Sequence, residues 1–157
     1  MNPSELKQNI DTIVVVMMEN RSFDNVLGYL RSPQHGNRAD VEGIADPSDP
    51  SYLNPNGDGV ALAPFWTKDG PFPSDLPHDK GAVAKQLAYA QVSKSYLMNG
   101  FVKAFEDEFH TTLDHPPVLG LLTRADLPAT GALADMYTVC DHWFACVPTS
   151  TAPNRLM

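Results

Sequence analysis

Cysteine is scarce in this chain, with only Cys140 and Cys146 among 157 residues. Read within one extended segment, their Cα atoms would stand roughly 20 Å apart, whereas a disulfide needs them within about 7 Å. A disulfide scaffold is therefore not expected, and both read as small buried hydrophobes. Long apolar runs are also missing: the longest, IVVVMM at 13–18, falls far short of the roughly 20 residues a bilayer span needs. The first ten residues lack a basic stretch leading into an apolar one, so no secretory leader is read. The sequence as it stands is expected in the cytoplasm, or secreted or periplasmic where a leader has been removed. Positive charge is short as well, with 11 Lys and Arg against 19 Asp and Glu, a net −8. A nucleic-acid partner needs a positive footprint and is not expected. A small phosphate substrate stays open, because a metal ion can supply the local positive charge.

What is present begins with a core: 43% of residues are hydrophobic, enough for one packed domain. Residues 13–18 are apolar without alternation and lie between Asp11 and Glu19. They predict a strand covered on both faces, as in a parallel sheet. Residues 22–30 follow with Phe23, Val26, Leu27 and Leu30 at helical spacing and Ser22 as N-cap. A strand leading into a helix is the building unit of an α/β fold. Across 31–77 the pattern dissolves, with eight of the 14 prolines there. Asp-Pro-Ser-Asp-Pro at 46–50 and Asn-Pro-Asn-Gly-Asp-Gly at 54–59 are turn signals. Phe65, Trp66 and Phe72 are the anchors of this segment, which reads as a functional excursion rather than a plain connection. Its Asp-Gly run lacks the ligand spacing and terminal Glu of a calcium loop and reads as a turn. Helices are predicted over 80–98, stopping at Asn99-Gly100, over 101–109 and over 129–136. A second strand is predicted at 138–144, ending in the turn VPTSTAPNR at 147–155.

Four clusters carry chemistry-bearing side chains. Glu19-Asn20-Arg21-Ser22-Phe23-Asp24 directly follows the first predicted strand, where open α/β sheets bind ligands. A carboxylate followed by an amide oxygen suits a hard divalent cation; the plainer reading is acidic residues favouring a helix N-terminus. His78, at the end of the long loop, could protonate a leaving group or bind a phosphate oxygen, or be an exposed loop residue. Asp141 and His142, adjacent in a strand, would point to opposite faces and so make a poor shared metal site; a structural role is expected for both. In Thr149-Ser150-Thr151-Ala152-Pro153-Asn154-Arg155, a hydroxyl at a strand-to-helix turn is placed for nucleophilic attack, and Arg155 could grip a phosphate through two hydrogen bonds. The plainer reading is Thr151 as an N-cap with Pro153 in the first turn.

Taken in order, these blocks resemble one family. IVVVMMENRSFDNVLGYL at 13–30 is very similar to the opening signature of the phosphoesterases that include bacterial phospholipases C and a group of acid phosphatases. PHD at 77–79, MNGFV at 98–102, LTRADLP at 122–128 and VCDHWFACVPTSTAPNR at 139–155 resemble further blocks in the same order. The resemblance implies an α/β, alkaline-phosphatase-like three-layer sandwich with a mostly parallel sheet. Residues 1–157 would be the N-terminal portion of one such domain, incomplete, with 31–77 as a long irregular insertion. It implies one divalent metal ion held by Glu19, Asn20 and Thr151, with Thr151 as nucleophile. His78 would help to hold the phosphoryl group, and Asn154 and Arg155 would bind substrate or support the turn. The substrate would be a phosphate ester, including a phospholipid head group. Many phospholipase-like members carry Gly-Pro before the nucleophile, and here Thr149-Ser150 stands there, so Ser150 competes with Thr151 for the role. The family's further metal ligands, an acidic pair, lie beyond position 157. The competing readings are an inactive remnant and a binding module using the Trp- and Phe-bearing loop.

Overall fold

The computed structural model describes residues 8–67 and 75–156. It is mixed α/β, with short helices and small parallel and antiparallel β pairs. Helix α1 (Phe23–Leu27) begins at Ser22, as expected, and tightens into a 3-10 turn over Gly28–Arg31. Tyr29 and Leu30 in that turn are buried and pack with Val41 and Ala134, and Phe23, Leu27, Trp66 and Val139 close around them. The chain returns so near that Gly36 donates to the Tyr29 carbonyl. A Cβ at Gly36 would stand 2.4 Å from Leu30 backbone atoms, an approach only glycine permits.

The irregular stretch is irregular in the structure too, with three short strands among its described residues. β1 (Asn54–Pro55) pairs antiparallel with β2 (Ala61–Leu62). The turn between them is built by Asn56, whose Oδ1 accepts from Asp58 N at 3.0 Å and Val60 N at 2.8 Å. Gly59 supplies the positive φ, so the Asn-Gly-Asp-Gly run is the turn it was read to be. β3 (Phe65–Trp66) runs parallel to β6 (Gly120–Leu121). Phe65 and Trp66 anchor the stretch as expected, the former against His115 and the latter edge-on to His35 at 4.5 Å; Phe72 lies outside the described residues.

Helices α2 (Lys80–Leu87) and α3 (Phe101–Phe109) pack together, and α3 spans the predicted residues. α3 is tied to the β1–β2 hairpin twice, by Phe101 N donating to Asn54 Oδ1 at 3.0 Å and by Gly57 N donating to the buried Glu106 at 2.7 Å. Helix α4 (Pro128–Met136) matches its expectation with one residue added. α5 (Thr151–Leu156) opens inside the predicted terminal turn.

Four expectations are corrected. Residues 13–18 form no strand: their side chains are 52% to 85% exposed, and no strand among the described residues pairs with them. β-branched composition favours a strand only where neighbours complete its hydrogen bonds and cover its faces. The helix predicted over 80–98 ends at Leu87, because Ala88 turns left-handed and β4 (Tyr89–Ala90) folds back antiparallel on β5 (Ser95–Tyr96). The Tyr89 and Tyr96 rings pair across that hairpin at 5.1 Å, a cross-strand contact that helical spacing cannot reveal. The strand predicted at 138–144 is an irregular surface segment, and Cys140 on it and Cys146 just beyond it are exposed rather than buried. Both thiols are free, in line with the expectation of no bridge. Among the described residues no helix is long and apolar enough to cross a membrane.

Candidate active site

Two loops, one from each end of the chain, meet in the site. The first follows residues 13–18. Asn20 takes a left-handed backbone, φ 66°, which Asn tolerates better than most residues because its short polar side chain bonds locally. Ser22 then caps α1 in a reciprocal box: Ser22 Oγ accepts from Asn25 N at 3.2 Å, and Ser22 N donates to Asn25 Oδ1 at 3.4 Å. Asn25 is buried and donates from Nδ2 to the Gly120 carbonyl at 2.8 Å, while Leu122 N donates to the Asn25 carbonyl at 2.9 Å. The segment at 120–122 thereby fixes the start of α1 and, through it, the loop carrying Glu19 and Asn20.

The second loop is the turn at 147–150 and the opening of α5. Thr151 Oγ1 donates to Asn20 Oδ1 at 3.4 Å, and Arg155 reaches the same first loop through the Glu19 carboxylate at 3.4 Å and the Met17 carbonyl at 3.2 Å. Glu19 and Arg155 are each nearly half exposed, so their attraction is well screened and orients more than it stabilises.

His78 approaches from a third side. Asp79 caps α2 by accepting from Ala82 N at 2.8 Å, and Gln86 on that helix donates to the Pro77 carbonyl at 2.6 Å. His78 Nδ1 stands 2.7 Å from the Leu76 carbonyl. A carbonyl only accepts, so Nδ1 carries the proton and Nε2 is the nitrogen left for a ligand.

Glu19, Asn20, His78, Ser150, Thr151 and Asn154 all line one open cleft of about 780 Å³. Arg155 lies beside it, on Glu19. Sequence reasoning missed Trp143 and Phe144, which line the same cleft while 84% and 74% exposed; the apolar pattern around them read as a strand. Asp24 also faces the cleft, and crowding by its walls raises its carboxyl pKa. Asp141 and His142 do not lie on opposite faces of a strand, since both meet Glu42. Asp141 accepts from Glu42 N at 2.6 Å and His142 Nε2 meets the Glu42 carboxylate at 3.2 Å. Without a strand, the alternation that would separate them is absent.

A phosphoesterase family model matches residues 10–157. The chain belongs to the phosphoesterase family. It is 35% identical over 157 residues to non-specific phospholipase C1 of Arabidopsis thaliana, covering 98% of this chain and 28% of that protein. It is 30% identical over 164 residues to phospholipase C B of Mycobacterium tuberculosis, covering 94% of this chain and 29% of the relative. Hemolytic phospholipase C of Pseudomonas aeruginosa is 26% identical over 150 residues, 95% of this chain and 18% of that protein. The chain thus spans less than a third of the length of each of these relatives, and the likeness first drawn to bacterial enzymes extends to plants.

Whether a phosphoesterase metal fits these residues can be asked of their donor atoms. Glu19, Asn20 and Thr151 offer oxygen, the donor that hard divalent cations take. Asn20 Oδ1 and Thr151 Oγ1 are 3.4 Å apart, close enough to share one cation through bonds of about 2.0–2.5 Å. The Glu19 carboxylate already holds a positive partner in Arg155. The donors fit in kind and fall short in number, since such cations take about six ligands. No group of three His, Cys, Asp or Glu side chains comes together among the described residues.

Proposed function

We propose that this chain carries the nucleophile side of a metal-dependent phosphate-ester hydrolase of phospholipase C type. The observation that carries the reading is the convergence of Glu19, Asn20, His78 and Thr151 on one cleft, with Thr151 in contact with Asn20. They come from three separate sequence blocks, at 19–24, 77–79 and 149–155. The fold we propose for the whole is the alkaline-phosphatase-like sandwich, with this chain as the N-terminal portion of one domain. Its mixed α/β character and its parallel β3–β6 pair are compatible with that architecture.

Glu19, Asn20 and Thr151 would hold the metal ion. When bound, the ion would neutralise a phosphate oxygen and lower the pKa of the Thr151 hydroxyl. Thr151 Oγ1 attacks phosphorus, its proton passing through water to the alkoxide that leaves. The new Oγ1–P bond forms in line with the P–O bond that breaks, and the alcohol leaves with a proton. His78, with both ring nitrogens protonated, would donate from Nε2 to a phosphoryl oxygen. Water then attacks the phosphothreonine, the Oγ1–P bond breaks and the hydroxyl is restored. Positioning and charge stabilisation dominate such a transfer. The open cleft with exposed Trp143 and Phe144 and the names of the relatives favour a phosphodiester with apolar substituents over a small monoester.

The test compares Thr151→Ala and Ser150→Ala in the protein assayed with divalent metal on phosphatidylcholine and on p-nitrophenyl phosphate. Thr151→Ala should lose activity by about 10⁴-fold or more, Ser150→Ala should stay within a few-fold, and a chelator should abolish the wild-type rate. Wild-type turnover by Thr151→Ala would sink the assignment, and the reverse pattern would move the nucleophile to Ser150.

A further inference from the structure

We infer that Asn154 is a positioning residue: its carboxamide clamps the turn at 147–150 and so sets the place of Thr151, and it makes no bond to substrate. The inference rests on Thr151 as the nucleophile. The turn is unusual in having its carbonyls converge while Pro148 offers no N–H. Into that convergence Asn154 inserts its amide. Nδ2 lies 3.0 Å from the Val147 carbonyl, 3.1 Å from that of Thr149 and 3.1 Å from that of Ser150. Oδ1 accepts from Val147 N at 3.0 Å. The amide thus pairs with both backbone groups of Val147, as a neighbouring strand would, and its spare donor capacity holds the two residues that precede Thr151. These neighbours also fix the orientation of the amide, because the flipped arrangement would press Oδ1 against three carbonyls.

Counting capacity excludes a substrate role. A carboxamide has two N–H hydrogens and one acceptor oxygen. Three carbonyls share the two hydrogens, and the oxygen has its own donor. What remains is a lone pair, which repels a phosphoryl oxygen. Removing the amide would take the shared donor from the Thr149 and Ser150 carbonyls, while the Val147 carbonyl would keep Thr149 N at 2.9 Å, and the turn would loosen on the side next to Thr151. The nucleophile sits one residue past Ser150, so such a movement carries straight into its position, and a misplacement of about 1 Å costs roughly 10²-fold in rate.

Asn154→Asp tests this with minimal change of shape, because it keeps the acceptor for Val147 N and puts an oxygen in place of the donor. The expected result is a kcat about 100-fold lower with KM within about twofold of wild type and a cooperative thermal melt. A residue that binds substrate would raise KM, and one that only stabilises the fold would shift the melt and leave kcat per folded molecule unchanged; either result overturns the inference. Should Asn154→Asp fail to melt cooperatively, Asn154→Ser, which keeps one small donor and acceptor, should show the same kcat-only loss at about tenfold, and an unchanged kcat there would likewise overturn it. Thr151→Ala measured alongside keeps the two ideas apart. If it remains active, the nucleophile reading fails; if it is inactive while Asn154→Asp keeps its kcat, only the clamp fails.

Discussion

Thr151 Oγ1 and Asn20 Oδ1 lie 3.4 Å apart, although 131 positions separate them in the chain. Besides that hydrogen bond, each is held by contacts of its own loop. Asn20 is set by a backbone turn whose far side is pinned through Ser22 and Asn25 to the Gly120 carbonyl. Thr151 is set by the turn that Asn154 closes. Arg155 then bridges the two loops through Glu19 and the Met17 carbonyl. Two separately ordered loops can bring oxygen donors together with little further loss of freedom, which is what a metal-assisted site requires of its protein.

The backbone of Asn20 separates two kinds of damage. Asn20→Gly keeps the left-handed turn at φ 66° and loses only the side chain, so stability should stay within about 0.5 kcal/mol of wild type. Asn20→Ala must place a Cβ in the same conformation, at a cost of about 1 kcal/mol. On the proposed reading of the site, both variants should lose phosphate-ester hydrolysis by at least about 10²-fold through the missing oxygen. Urea unfolding and a rate assay on the pair check this. Equal stability of the two variants would show that the turn relaxes out of the left-handed region.

How much of this was legible in the sequence differs from element to element. Ser22, the Phe101–Phe109 helix and the Asn56 turn were readable because their signals are local: a cap, a periodicity, a side chain bonding its own backbone. The candidate site residues Glu19, Asn20, His78, Ser150, Thr151 and Asn154 were readable as blocks, and one cleft is lined by all of them. What failed depended on partners. Residues 13–18 have strand composition but no paired neighbour among the described residues, and residues 89–96 have helical spacing but fold into a hairpin held by two tyrosine rings. The part of Asn154 was half visible. Its place in the turn suggested support or substrate binding, and only its four backbone contacts decide how its hydrogen-bonding capacity is spent.

Acid should loosen the α2–α3 pair in a defined window. Asp107 on α3 bonds Lys103 on its own helix and Lys85 on α2, the latter at 2.7 Å. Those two ammonium groups, Lys103 first, hold its carboxyl down to about 2, against an ordinary 3.8. A depressed carboxylate pKa means that the unfolded chain binds the proton more readily. The contribution is therefore fully present above about pH 4 and disappears as pH falls through about 2. Denaturant midpoints taken from pH 5 to pH 2 should fall more steeply for wild type than for Asp107→Asn, and added salt should narrow the gap because the groups are solvent-exposed. Parallel curves would show that the bridge does not couple the helices.

The two tryptophans report on different parts of the molecule, and that makes the cleft observable without any assay of turnover. Trp66 is partly buried against the core and edge-on to His35, whereas Trp143 is 84% exposed on the cleft wall. Their fluorescence should resolve into a component readily quenched and one protected. Acrylamide is the better probe, because the net charge of −8 would hold an anionic quencher such as iodide away from the surface. Trp143→Phe should abolish the accessible component and leave the emission of Trp66, blue-shifted and weakly quenched. A short-chain phosphatidylcholine entering the cleft should protect Trp143 in wild type, and inorganic phosphate, too small to cover the ring, should not. If Trp143 stays fully quenchable with the lipid bound, the aromatic wall plays no part in taking the substrate, and the preference for an apolar diester over a small monoester loses its structural support.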